Sequence, residues 1–211
     1  MARADDYKKA VELSRQRLAT RDAQEIAAHS GATMEQGPDG HPLLALPFLQ
    51  KRVLLEGPGF QMTFQESGEE PNLQEQVLIL HYLNGATGAA PTDEWVAYQE
   101  IPAGKYYIDA FLRRAKNPML NTFGDQPEVF IKLAKEVYDA QPLDQGDAAV
   151  TVQAFPRVPV ALILWRGDDE FPPEGTILFD RSIGDILSAE DIAWLAGMIV
   201  YPLMGMAKGR T

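Results

Sequence analysis

Two neighbouring apolar stretches, AAVTVQAF at Ala148–Phe155 and VPVALILWR at Val158–Arg166, have the strongest strand signal in the chain. The second stretch is apolar at successive positions, so both of its faces are predicted to be buried, as in a central strand. A third strand is predicted at Thr176–Phe179, after a turn at Pro172–Gly175. These segments predict a sheet in the C-terminal half of the chain.

The N-terminal half predicts two helices followed by several short strands. An amphipathic helix is predicted over Asp5–Thr20, and Asp22 is placed to cap a second helix that ends at Gly31. Glycine or proline separates most of the next apolar segments, which is typical of an antiparallel meander. The predicted strands lie near Met34 and at Leu43–Phe48, Arg52–Leu55 and Phe60–Phe64.

Helices are predicted on both sides of the C-terminal strands. A largely apolar helix follows the cap at Asn72, and a final apolar helix follows Ser188, with Asp191 at the capping-box position. Further predicted elements are a strand at Glu94–Glu100 and helices at Tyr107–Arg114 and Pro127–Tyr138. This order predicts an α+β fold with a mainly antiparallel sheet and helices packed on it, in a single domain over residues 1–211.

Composition excludes several classes of function. The 211 residues carry a formal net charge of -11, which disfavours nucleic acids and anionic membranes as partners. The absence of cysteine excludes disulfides, thiolate nucleophiles and protein-ligated iron–sulfur clusters. Ile192–Ala207 is uncharged, but its 16 residues fall short of the roughly 20 that a membrane span needs. We therefore expect a cytoplasmic protein with no nucleic-acid or membrane partner.

The segment Trp165–Asp191 is the most acidic part of the chain, with eight acidic and two basic residues. Asp168, Asp169 and Glu170 follow a predicted buried strand, where carboxylates could bind a hard cation or act as general acid and base. The alternative is a solvated charged turn, because loops at strand ends are usually polar.

A second candidate is His81, in the helix that follows Asn72. Helical spacing places it with Gln74 and Asn84 on the most polar stripe of an otherwise apolar helix. A neutral imidazole in that position suits an axial ligand to a haem or cobalt macrocycle. It is equally typical of a hydrogen-bonded histidine at the edge of a core.

The third candidate is the basic and aromatic segment Lys105–Lys116, which has four basic residues and one acidic residue. Arginine, lysine and tyrosine suit a carboxylate or phosphate on a small ligand. Arg113 and Arg114 are adjacent on a helix and point about 100° apart, so at most one would lead such a site. The alternative is a solvated face that pairs with the acidic segment.

Several of these segments, in this order, resemble an uncharacterised family of anaerobic bacteria and archaea, domain of unknown function 3786. The matching segments are Gln76–Leu83, Trp95–Pro102, Gly146–Ala149, Pro156–Pro159 and Trp165–Pro173. In that family some members carry an added cysteine-rich iron–sulfur domain like that of corrinoid iron–sulfur proteins. The resemblance implies a setting of corrinoid metabolism and favours His81 as a tetrapyrrole ligand, whereas the missing cysteines leave no iron–sulfur role here.

The resulting prediction is a non-catalytic ligand-binding or accessory protein for a corrinoid or related tetrapyrrole such as haem. The predicted cofactor-binding residues are His81, Tyr82, Trp95, Tyr98, Lys105, Tyr106, Arg113 and Arg114. One alternative is a metal-assisted hydrolase that uses Asp168, Asp169 and Glu170, and another is a structural interaction domain with a protein partner. The sequence leaves the oligomeric state open.

Overall fold

The computed structural model describes residues 2–37 and 40–209, with the side chains of residues 2 and 3 left out. Its packing divides the chain into two compact units. Unit 1 consists of Met1–Ala90, Phe155–Arg157 and Asp185–Leu187, and unit 2 of Pro91–Ala154, Val158–Gly184 and Ser188–Thr211. Both contain helices and an antiparallel sheet, so the α+β prediction is confirmed. The single domain predicted over residues 1–211 stays a prediction.

The helices of unit 1 begin and end at residues suited to those positions. They are α1 (Ala2–Leu18), α2 (Ala23–Ser30) and α3 (Leu73–Gly85). The Asp22 carboxylate accepts the first free N–H groups of α2, and Gly31 closes that helix at φ 76°. Asn72 and Glu75 form a reciprocal capping box at the start of α3, as predicted.

The sheet of unit 1 is the predicted meander. Its strands are β1 (Thr33–Gln36), β2 (Pro42–Phe48), β3 (Lys51–Glu56) and β4 (Gln61–Phe64), paired in chain order. In the β2–β3 hairpin, Leu44 faces Leu55 and Leu46 faces Val53, so these apolar pairs fix the register.

Two kinds of contact hold unit 1 together, namely stacked aromatic rings and the hydrogen bonds of Arg157. Tyr82 of α3 stacks on Phe155 with ring centres 4.1 Å apart, and Phe155 also stacks on Phe48 at 4.8 Å. Arg157 donates hydrogen bonds from all three guanidinium nitrogens to backbone carbonyls of unit 1. Its acceptors are the oxygens of Ala28, His29 and Ala89, at 3.0, 2.6 and 3.2 Å.

The sheet of unit 2 has the strand order β5-β9-β8-β7-β6. These strands are β5 (Trp95–Ala97), β6 (Gln141–Pro142), β7 (Ala148–Phe155), β8 (Val158–Trp165) and β9 (Glu174–Asp180). The central position of β8 confirms the prediction from its two apolar faces. The strand predicted at Glu94–Glu100 is partly wrong, because Tyr98–Glu100 form a 3₁₀ turn in which the Glu100 carboxylate accepts the Ala97 N–H.

The helices of unit 2 include α4 (Gly104–Phe111), α5 (Asn117–Phe123), α6 (Pro127–Tyr138) and α8 (Ala189–Lys208). The residues of the short α7 (Ile183–Ile186) are divided between the two units. Ser188 and Asp191 form the predicted capping box of α8. In the described part of the chain, none of the helices combines the length and the apolar character of a membrane span.

A buried carboxylate in unit 2 binds the segment before β5 and the segment after β9. Asp180, at the end of β9, is 2% exposed. It accepts the backbone N–H groups of Thr92, Asp93 and Ser182 and the hydroxyls of Thr92 and Ser182, at 2.6 to 3.0 Å. Burial alone would raise the pKa of Asp180, but the hydrogen bonds from Ser182 and Thr92 outweigh burial and lower it.

Candidate functional site

The candidate site in unit 2 is built around an arginine that lies in a π-helical turn. Leu112–Lys116 form this turn between α4 and α5, and the Asn117 N–H bonds to the Leu112 carbonyl five residues earlier. Pro118 has no N–H to offer to the Arg114 carbonyl, so the ordinary helical hydrogen bond is missing there. The local sequence therefore favours the wider turn, and such turns are frequent at functional sites.

Arg114 projects from this turn onto the indole of Trp194 in α8. Its Cζ lies 4.2 Å from the centre of the ring, which is cation–π geometry. Its Nη1 is buried and has no hydrogen-bond acceptor among the described residues. A guanidinium nitrogen that is removed from water without an acceptor is unfavourable, and buried arginines are usually paired. The stack on Trp194 fixes the orientation of a cation that still has donors to offer.

The α8 helix supplies the rest of this surface. Glu190, Trp194, Gly197 and Tyr201 recur at spacings of three or four residues and so lie on one face of α8. A Cβ built on Gly197 would lie 3.2 Å from the Arg114 carbonyl oxygen, so glycine permits the close approach of the π-helical turn. Tyr201 is 51% exposed. We call Arg114, Trp194, Gly197 and Tyr201 the Arg114 surface.

Two of the predicted cofactor-binding residues, Tyr98 and Tyr82, belong to the cores of their units. Tyr98 stacks on Phe111 at 4.3 Å and donates its hydroxyl hydrogen to the Ala189 carbonyl at 2.7 Å. Burial raises the pKa of Tyr98 to about 12, although the positive charge of Arg114 acts in the opposite direction. In unit 1, Tyr82 is fully buried and donates to the Ser30 carbonyl at 2.5 Å. Burial raises the pKa of Tyr82 far above its ordinary value.

The other predicted cofactor-binding residues lie at or near surfaces. His81 is half-buried on α3 in unit 1, and Trp95 is half-buried in β5 of unit 2. Tyr106 is 90% exposed, and Lys105 and Arg113 are also exposed. Of the two adjacent arginines, Arg114 lies over an aromatic ring and Arg113 is exposed. The predicted set is thus divided between the units, with His81 and Tyr82 in unit 1 and the rest in unit 2.

The acidic turn after β8 is held by its own backbone. Asp168, Asp169 and Glu170 are exposed, and the Asp168 carboxylate accepts the N–H groups of Glu170 and Phe171, both at 2.8 Å. The hydrogen bonds from Phe171 and then Glu170 lower the pKa of Asp168. Within residues 2–37 and 40–209, no three metal-binding side chains gather into a possible metal site. The metal-assisted hydrolase stays a prediction from the sequence.

Trp194 and Tyr201 are site residues that sequence reasoning did not identify. The uncharged stretch Ile192–Ala207 predicts only an apolar helix in the core. The available signal was the spacing of Glu190, Trp194 and Tyr201, which puts two aromatic rings and a carboxylate on one helical face. The sequence of α8 does not show which element packs against that face, so it does not predict that Arg114 lies on it.

The model of a family described as Domain of unknown function (DUF3786) matches residues 22–201. No curated protein and no solved structure matches the chain.

Proposed function

The chain belongs to the DUF3786 family, and from that premise we propose that it is a non-catalytic cytoplasmic binding protein for a planar ligand with peripheral carboxylates or amides. A corrinoid or a related tetrapyrrole such as haem is the ligand class that we propose. The observation that carries the proposal is the Arg114 guanidinium, which lies on Trp194 while its Nη1 has no acceptor among residues 2–37 and 40–209.

The chemistry of the Arg114 surface supports a ligand of this kind. A guanidinium binds a carboxylate through two parallel N–H donors, and it also donates to amide oxygens. The stack on Trp194 orders the cation before a ligand arrives, which reduces the entropy lost on binding. The exposed ring of Tyr201 lies on the same face of α8 and offers apolar area to a flat ligand.

His81 of unit 1 is a separate candidate binding residue, as an axial ligand to a metal centre. Its neighbours Leu80 and Tyr82 are fully buried, whereas His81 is half-buried and so lies where the buried side of α3 meets solvent. An imidazole at such a boundary can approach a cobalt or iron centre. Because His81 lies in unit 1 and Arg114 in unit 2, the two contributions are tested by separate variants.

The test is a titration of the purified chain with hydroxocobalamin and, separately, with haemin, followed by absorbance. We expect saturable binding of at least one ligand, with a spectral change that His81→Ala removes. Arg114→Gln should weaken binding at least tenfold, because one charge-assisted hydrogen bond is worth roughly 1.5–3 kcal/mol. The matched control is Arg113→Gln, which changes the adjacent exposed arginine and should leave the affinity unaltered.

Two results would contradict the proposal. One is an unchanged spectrum with both ligands, which would remove the tetrapyrrole. The other is equal affinity for the original chain and for Arg114→Gln, which would remove the Arg114 surface as the binding site. A native mass measurement of the freshly purified protein checks independently for a co-purified coloured ligand.

A further inference from the structure

We propose that a groove in unit 1, between α1 and the segment that leads into α3, binds a small zwitterion with one carboxylate and one ammonium, as in a free amino acid. The groove has a volume of about 610 Å³, and Lys8, Glu12, Arg15, Glu70, Leu73 and Gln76 are among its lining residues. That volume is in the range of small-molecule sites in proteins. The family match begins at residue 22, so α1 lies wholly outside it and the groove lies partly outside it.

A buried amide holds the polar wall of the groove. Gln76 is 5% exposed, and its Nε2 donates to the Glu70 carboxylate at 3.0 Å and to the Pro71 carbonyl at 2.8 Å. Its Oε1 accepts a hydrogen bond from Arg15 Nη2 at 3.3 Å. Both ends of the amide are therefore hydrogen-bonded. The oxygen can only accept and so faces the Arg15 cation, whereas the NH₂ group can only donate and so faces the Glu70 carboxylate.

Arg15 has donor capacity that the groove does not use. Its Nε is buried and finds no acceptor in the described part of the chain. Its bond to Gln76 is longer than the usual 2.9–3.0 Å, so the guanidinium is weakly held there and can turn toward a better acceptor. A ligand carboxylate is that acceptor, since it accepts two parallel N–H donors from one guanidinium.

The charges of the groove select against ligands of a single sign. Lys8 and Arg15 are two turns apart on the same face of α1, and Glu12 lies between them. Glu70 adds a second carboxylate on the opposite wall. A simple anion would meet two carboxylates and a simple amine two cations, whereas a zwitterion has a partner for each of its charges. Arg15 and Glu70 bind opposite ends of the Gln76 amide, so one compact molecule can reach both.

The experiment measures binding of each of the twenty free L-amino acids to the full chain by calorimetry. ¹H–¹⁵N NMR shifts then locate the site. We expect at least one amino acid to bind, with shifts centred on α1 and the start of α3. Its N-acetyl and its carboxamide derivatives, which each lack one charge, should bind at least tenfold more weakly. This test does not involve Arg114 or His81, so its outcome is independent of the tetrapyrrole titration.

Variants identify the residues that bind the ligand. Arg15→Gln should weaken binding at least tenfold, and Glu70→Gln should weaken it by removing the partner of the ammonium. Arg17→Gln is the matched control, because Arg17 is exposed on the same helix and does not line the groove. The proposal is overturned if none of the twenty binds, if an N-acetyl derivative binds equally well, or if Arg15→Gln binds like the original chain.

Discussion

Arg157 in unit 1 and Asp180 in unit 2 each bind three backbone groups, but the two side chains carry opposite charges. In unit 1 Arg157 donates to three carbonyls, and in unit 2 Asp180 accepts three N–H groups and two hydroxyls. A guanidinium stays protonated at every pH a protein tolerates, whereas a carboxylate titrates. The comparison teaches that two units with similar secondary structure can differ in their response to pH.

The same comparison has a convenient optical readout. All three tryptophans, Trp95, Trp165 and Trp194, lie in unit 2. Tryptophan fluorescence therefore reports on unit 2, and hydrogen exchange of α3 amides reports on unit 1. Circular dichroism follows both units together.

The largest expected effect comes from a glycine in each unit. A Cβ on Gly85 would lie 2.0 Å from the Ile186 carbonyl oxygen, and a Cβ on Gly104 would lie 2.0 Å from that of Tyr98. Neither backbone oxygen is a flexible side-chain end, so the chain itself must move. We expect Gly85→Ala and Gly104→Ala each to lower the free energy of unfolding by about 3 kcal/mol. Urea denaturation followed by circular dichroism measures both.

Gly205 provides the control for these two glycines. It lies in α8, and a Cβ built there meets no atom within 4 Å. Gly205→Ala should raise the free energy of unfolding by up to about 0.8 kcal/mol, because alanine is the better helix former. If Gly85→Ala or Gly104→Ala is as stable as Gly205→Ala, the close backbone approach at that position is wrong.

Much of the fold could be predicted because local chemistry and tertiary packing agree. The apolar faces of β8 required burial on both sides, and the short strands of unit 1 had no long connection that would allow another order. The 3₁₀ turn at Tyr98–Glu100 could not be predicted, since its residues alternate like those of the preceding strand. What ends the strand is the Glu100 carboxylate, which reaches back to the Ala97 N–H.

The candidate site was only half predictable, for a different physical reason. Arg114 was identified by its charge in an acidic chain, and Pro118 explains the local π-helical turn. Its aromatic partner Trp194 lies 80 residues later in a helix whose composition indicates only burial. Helical periodicity predicts which residues of α8 share a face, but only packing decides which other element that face contacts.

The second prediction uses pH to separate the two charged side chains. The pKa of Asp180 is lowered from 3.8 in the folded chain. Such a group contributes stability that is present above pH 3.8 and is lost as the pH falls through the lowered pKa. We therefore expect acid below about pH 4 to destabilise unit 2. As the pH falls, tryptophan fluorescence should change at a higher pH than the one at which α3 amides lose protection from hydrogen exchange.

Asp180→Asn is the variant that tests this assignment. Asparagine keeps the shape but loses the charge and places an NH₂ where a carboxylate oxygen accepts hydrogen bonds, so unit 2 should be weaker at pH 7 and less sensitive to acid. Asp125→Asn, at an exposed position of unit 2, is the control, and its acid transition should match that of the original chain. An acid transition in Asp180→Asn as steep as that of the original chain would show that other carboxylates dominate.

The smallest expected effect comes from a buried hydroxyl in each unit. Tyr82 donates to the Ser30 carbonyl at 2.5 Å and Tyr98 to the Ala189 carbonyl at 2.7 Å, and both rings stack on a phenylalanine. Phenylalanine keeps the stack and removes only the hydroxyl, so Tyr82→Phe and Tyr98→Phe should each cost about 1 kcal/mol. Tyr106→Phe, at a 90% exposed position, should cost nothing measurable in the same urea denaturation.

Equal losses in the two units would mean that their hydrogen bonds to backbone carbonyls are equivalent, so the contrast between the units resides in Arg157 and Asp180. If Tyr98→Phe alone were neutral, water would have to reach the Ala189 carbonyl in its place, and the core beneath the Arg114 surface would be less tightly closed than its stacking geometry indicates.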